Sequence, residues 1–128
     1  MANKKHKLTI AVLMGGVSSE HDISLETGKN IVENLDRSKY YLRPVEITKN
    51  NRWRASGKYL PFKKALKGVD LVFNALHGTF GEDGKIQGLL EILRIPYTGS
   101  GVLASALAMD KLKSKIIFKA EGLNVAKF

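Results

Sequence analysis

The sequence predicts an α/β fold: a single three-layer domain built on a mostly parallel sheet. Three observations carry that expectation. Two apolar runs without helical periodicity, "LTIAVLM" at 8–14 and "VDLVFNAL" at 69–76, have the character of strands buried on both faces. Each run is followed by a glycine-rich turn and then by a segment with helical spacing. The chain is also one domain long. Its 128 residues, 44% of them hydrophobic, suffice for one core.

Taken in order, residues 8–14 form the first strand, stopped by Gly15-Gly16. "SSEHDISLETGKNIVENLD" reads as a helix, with Ser19 as N-cap and Asp22 three residues on in a capping-box-like pair. Its predicted inner face joins Ile23, Thr27, Ile31 and Leu35, widened by Leu25 and Val32. "YYLRPVEI", 40–47, is a second strand in which Pro44 implies an edge or a bulge. Asn-Asn and Ser-Gly turns then bracket a short hairpin carrying Trp53. Pro61 is placed to open a short helix ending at Gly68. After the strand at 69–76, "GKIQGLLEILR" sets Ile86, Leu89, Leu90 and Leu93 on one side of a helix. "IPYTGSG" reads as a short strand and turn, and Val102 to Glu121 as one helix stopped by Gly122. Alternation of this kind gives a parallel sheet whose ligands sit beyond the carboxyl ends of the strands. Both glycine-rich segments, 15–16 and 78–84, leave strands at that edge.

Composition excludes several classes. Without cysteine there are no disulfides, zinc ribbons or thiol chemistry. No run approaches a membrane span, and the apolar stretch after the basic start is too short and wrongly flanked for a signal peptide, so a cytoplasmic protein is expected. The net charge of +9 comes from lysines scattered through every segment, with no basic stripe interleaved with aromatics, so nucleic acid is not an expected partner. His6, His21 and His77 show no ligand spacing, and no metal site is expected in this chain.

The chemistry concentrates in two stretches. In "MGGVSSEHDISL" a strand, a Gly-Gly turn and a helix bring backbone amides to a helix N-terminus, without the later glycines of a dinucleotide fingerprint or the Gly-Lys-Ser/Thr of a P-loop. Glu20 there either favours the helix dipole or receives a substrate cation. "HGTFGEDGKIQG" places glycines at 78, 81, 84 and 88; six of the chain's twelve glycines fall between 78 and 101. They supply unusual backbone angles or room for close contact. His77 is a hydrogen-bonded structural residue or a site residue, and Glu82 and Asp83 are helix-start residues. Further on, Lys111, Lys115 and Lys119, four apart, form a solvated face or a stripe aimed at phosphates.

Together, "GGVSSEHDISL", "ALHGTFGEDGKIQGLLE", "IPYTGSGVLASALAMDKLKSK" and "GLNVAKF" closely resemble the N-terminal portion of D-alanine–D-alanine ligases, from about Leu8 to Phe128. The resemblance implies a Rossmann-like pre-ATP-grasp fold. It also implies an ATP- and magnesium-dependent enzyme of the cytoplasm, often a homodimer, that joins two D-alanines for cell-wall peptidoglycan. On that footing Glu20 receives the ammonium of the first D-alanine. His77, with Gly78 beside it, lies near the carboxylate of that substrate, and Lys111 reaches the ATP phosphates. The implied route is stepwise: the first carboxylate attacks the γ-phosphate, and the second amine then displaces phosphate from the acyl phosphate. Residues 1–128 correspond to the N-terminal domain, with the ATP-grasp domains absent, so the chain alone is expected to be inactive. Relatives that make D-alanyl-D-lactate or D-alanyl-D-serine share this domain, and a stand-alone binding or dimerisation module is the reading from another class.

Overall fold

A computed structural model describes residues 7–127. The elements run β1 (Leu8–Gly15), α1 (His21–Asn34), β2 (Tyr40–Ile47), β3 (Trp53–Ala55), β4 (Lys58–Tyr59), α2 (Phe62–Ala65), β5 (Leu71–Asn74), α3 (Lys85–Ile92), α4 (Val102–Met109) and α5 (Lys111–Ala120). The sheet order is β4-β3-β2-β1-β5. β1 runs parallel to β2 from Leu8↔Tyr40 to Gly15↔Ile47, and parallel to β5 from Ile10↔Leu71 to Leu13↔Asn74. β3 and β4 add an antiparallel margin, so the sheet is mixed and mostly parallel.

β1 is apolar throughout because both its faces are covered. Ala11 and Leu13 join Val45, Ile47, Trp53, Val72, Ile86 and Leu90 in one core cluster, under α2 and α3. Ile10, Val12 and Met14 join Ala75 in a second cluster, under α1. Complete burial of Leu13, Ile47, Ile86 and Leu90 is worth roughly 1.5–3 kcal/mol for each side chain. α1 lies so close to β1 that a Cβ at Gly28 would collide with the Met14 side chain.

The strands at 8–14 and 40–47, the hairpin and the inner face of α3 stand where the sequence puts them. Pro44 lies in β2 just before the part that β3 flanks, which makes it locally an edge residue. The hairpin turns through Ser56 and Gly57 with φ of +50° and +74°, the signs of a type I′ turn.

Four expectations are corrected. The Ser19–Asp22 capping box does not form; α1 starts after Glu20 without a side-chain cap. Its fully buried residues are His21, Ser24 and Gly28, while Leu25, Ile31 and Val32 pack on the second cluster as expected and only Ile23, 57% exposed, departs from the predicted face. The strand after Gly68 is only four residues long, and "IPYTGSG" contributes a single parallel bridge, Tyr97 to Val72. The predicted helix at 102–121 breaks at Asp110, whose side chain accepts the Lys113 amide at 3.0 Å and caps α5. α5 ends as foreseen at Gly122, φ +78°. The Leu123 amide donates to Phe118 and the Gly122 amide to Lys119, the paired bonds of a Schellman end.

Candidate functional site at the carboxyl ends of β1 and β5

β1 passes through α1 to β2 on one side, while β5 lies on its other side. The crevice between the carboxyl ends of β1 and β5 is therefore the switch point where sheets of this kind bind ligands. The strand ends part there around one side chain. After the Leu13↔Asn74 pair, Ala75 donates its amide to the Leu13 carbonyl at 3.0 Å. Next comes Ser24, whose buried hydroxyl accepts the Gly15 amide at 2.9 Å and donates to the Ala75 carbonyl at 2.7 Å.

The turn after β1 passes through Gly15 and Gly16, both with positive φ, and the Gly16 amide is tied to the Ile47 carbonyl. The His21 Nδ1 lies 2.6 Å from the Gly16 carbonyl, so the buried ring donates there and spends that nitrogen on the turn. Ser18 then joins the two loops. Its hydroxyl accepts the Glu20 amide at 3.1 Å and donates to the His77 carbonyl at 2.7 Å.

That link brings the predicted residues together. Gly78 is buried with φ +70°, and a Cβ there would lie 2.5 Å from a Glu20 carboxylate oxygen and 3.1 Å from the Ser18 hydroxyl. Only a bare Cα lets the Glu20 carboxylate rest against the loop next to His77. Glu20 is exposed and forms no ion pair among the described residues. His77 is half-buried, with Nε2 3.0 Å from the Thr27 hydroxyl. An unpaired carboxylate beside an imidazole in one crevice suits a small ligand that carries an ammonium.

The loop holds its shape through groups the sequence only partly disclosed. Glu82 accepts the Gly78 amide at 2.6 Å, and Asp83 accepts the Lys85 amide at 3.2 Å and pairs with its ammonium at 2.6 Å. Partial burial pushes the Asp83 carboxyl up, but the Lys85 side chain and backbone hydrogen bonds at Phe80 and Lys85 outweigh it and hold the group below the ordinary aspartate range. Asn74 and Gln87 each donate a side-chain amide to the Gly81 carbonyl at 2.9 Å. The glycines divide their work: Gly81 makes room for Leu76, and the left-handed residue beside it is Phe80, at φ +74°. Packing of the Phe80 side chain on the core offsets that strain. The roles of Ser18, Asn74 and Gln87 escaped sequence reasoning because single polar residues carry no pattern, and Thr27 was placed on the inner face of α1 without its bond to His77.

Lys111 stands apart. It is exposed at the first turn of α5, and among the described residues no hydrogen bond or ion pair ties its ammonium to Glu20 or His77. No group of three or more His, Asp or Glu residues that could hold a metal ion occurs among the described residues; His6 lies outside them. No helix among them is long and apolar enough to cross a membrane.

Fold and crevice together define a three-layer α/β domain with a candidate site at the switch point of its sheet. Comparison with known proteins narrows this class. The chain belongs to the family described as D-ala D-ala ligase N-terminus, whose model matches residues 9–65 and 54–100 in two overlapping segments. It is 48% identical over 122 residues to the D-alanine–D-alanine ligase of Citrifermentans bemidjiense, covering 95% of this chain and 37% of that relative. Among solved structures, the D-alanine-D-alanine ligase from Coxiella burnetii superposes with a TM-score of 0.87 at 38% identity, covering 94% of this chain and 44% of that one. The VanG D-Ala:D-Ser ligase from Enterococcus faecalis gives 0.82 at 30% identity, covering 95% and 44%. The Bacillus anthracis ligase complexed with ATP gives 0.80 at 41%, covering 96% and 38%. The chain thus spans less than half the length of these proteins.

Proposed function

We propose that this chain is the N-terminal domain of an ATP-dependent ligase that joins two D-alanines for peptidoglycan, and that its crevice receives the first D-alanine. The observation that carries the reading is the Glu20 carboxylate resting unpaired against Gly78, next to His77. Glu20 grips the ammonium and thereby sets which molecule is the acyl donor. The role is positioning, without proton transfer. We place His77 and the Gly78 turn at the carboxylate end of that substrate, next to Glu20.

ATP and magnesium belong to the same reading, supported by the Bacillus anthracis relative complexed with ATP. Magnesium would neutralise phosphate charge, but the described residues offer it no cluster, so we assign its ligands, and the adenine pocket, to ATP-grasp domains outside these 128 residues. Lys111 is the one residue here that we assign to the phosphates, reaching them across the junction with those domains. We place the enzyme in the cytoplasm, where ATP is supplied. D-alanine is assigned as second substrate because curated relatives 48% and 44% identical to this chain carry that name. Association into a homodimer is favoured by apolar residues left exposed on α4 and α5, among them Leu103, Leu112, Ile116 and Phe118.

The test mixes the 128-residue chain with the separately produced remainder of a related ligase. Phosphate release requiring both D-alanine and ATP is expected from the mixture and not from the chain alone. Glu20→Gln abolishes it. Full activity with Glu20→Gln, or turnover by the chain alone, would overturn the assignment.

A further inference from the structure

The Thr27 hydroxyl has one hydrogen and two lone pairs. Thr27 lies in α1, and its Oγ1 is 3.0 Å from the Ile23 carbonyl one turn back, a common bond for a helical threonine. That bond consumes the hydrogen. The second contact of the same oxygen, 3.0 Å to His77 Nε2, then has Nε2–H as donor and the hydroxyl as acceptor. Two anchors therefore run from the region of α1 to His77: Ser18 to its carbonyl and Thr27 to its ring.

We propose that Thr27 is a positioning residue for His77. It holds the proton on Nε2 and stops the ring from turning over. The inference rests on the reading of the crevice as a D-alanine site for its catalytic meaning, although the tautomer itself does not. A side chain on a loop is ordinarily imprecise. Bonding it to a residue on a packed helix supplies the orientation that catalysis at a small substrate needs. Valine at this position keeps the β-branch and removes the acceptor, whereas serine keeps the acceptor.

The test is imidazole nitrogen and proton NMR on the labelled 128-residue chain, whose three histidines give a short list of ring signals, with His77→Gln assigning the one of interest. His21 serves as internal control because its Nδ1 faces the Gly16 carbonyl and must carry a proton. For His77 the expectation is an Nε2–H proton sheltered from solvent exchange in the parent chain and in Thr27→Ser, and lost to exchange in Thr27→Val. An Nδ1–H tautomer in the parent, or a ring signal indifferent to Thr27→Val, overturns the proposal. In the reconstituted ligase, kcat should fall by about tenfold in Thr27→Val and recover in Thr27→Ser. Equal loss in both variants, or none in either, refutes the catalytic role. A mixture with no ligase activity at all would defeat the function proposed above while the ring signals still decide the role of Thr27.

Discussion

Replacing Gly78 by alanine separates the backbone demand at the loop from the contact with Glu20. Gly78 has φ +70° and Gly68 has φ +71°, but a Cβ at Gly68 meets nothing within 4 Å. A left-handed conformation costs an alanine roughly 1 kcal/mol at either position. At Gly78 the new methyl also presses on Ser18, whose Oγ and Cβ lie 3.1 and 3.2 Å away and whose hydroxyl is fixed by two hydrogen bonds. Crowding of that kind adds about 1 kcal/mol. The Glu20 oxygen, nearer still at 2.5 Å, belongs to the end of an exposed side chain and swings aside at little cost in stability. Gly78→Ala should therefore lose about 2 kcal/mol against about 1 for Gly68→Ala, or about 8 °C against 4 °C in melting temperature for a domain of this size. Calorimetry of both variants measures the difference. In the reconstituted ligase Gly68→Ala should keep its D-alanine affinity, while Gly78→Ala loses it by displacing the carboxylate. Equal melting points, or an undiminished D-alanine KM in Gly78→Ala, would refute the geometry.

Ser24→Ala leaves the buried Gly15 amide and Ala75 carbonyl without their shared partner, which should cost about 2–3 kcal/mol and lower the urea midpoint by about 1 M. A loss below about 0.5 kcal/mol would mean that the hydroxyl is dispensable. Asp110 is held below the ordinary aspartate pKa, chiefly by the Lys113 backbone amide and with help from the Lys113 side chain. Its contribution to α5 is thus complete above the unfolded value near 3.8 and is lost as pH falls through the lower folded value. Protection of the first-turn amides of α5, taken relative to the intrinsic exchange rate at each pH, should fall on acidification in the parent chain and be low at every pH in Asp110→Ala. Flat behaviour in the parent would contradict the cap.

The central strands were legible as unbroken apolar runs covered on both faces, and α3 because its apolar residues repeat with the helical period and end up in the core. α1 was only partly legible. The hydrophobic pattern named Leu25, Ile31 and Val32, which do pack on the core, but it also pointed to Ile23, whereas the closest approach to β1 runs through Gly28 and through Ser24, which satisfies the strand ends. The break at Asp110 was hidden by good helix formers on both sides, although aspartate three residues before the Lys113 amide was a usable signal. At the site, glycine density located the crevice, whereas the division of labour between Phe80 and Gly81 depends on packing that no local window contains. Glu20 and His77 were readable as residue types near one edge; what joins them, Ser18, lies in neither motif's charged part.

The single oxygen of Ser24 acts as a spacer that prises two strand tips apart while leaving no polar group stranded. The width of the crevice is then a property of helix α1, fixed by the body of the domain. A change at Ser24 would alter that gap without touching Glu20 or His77.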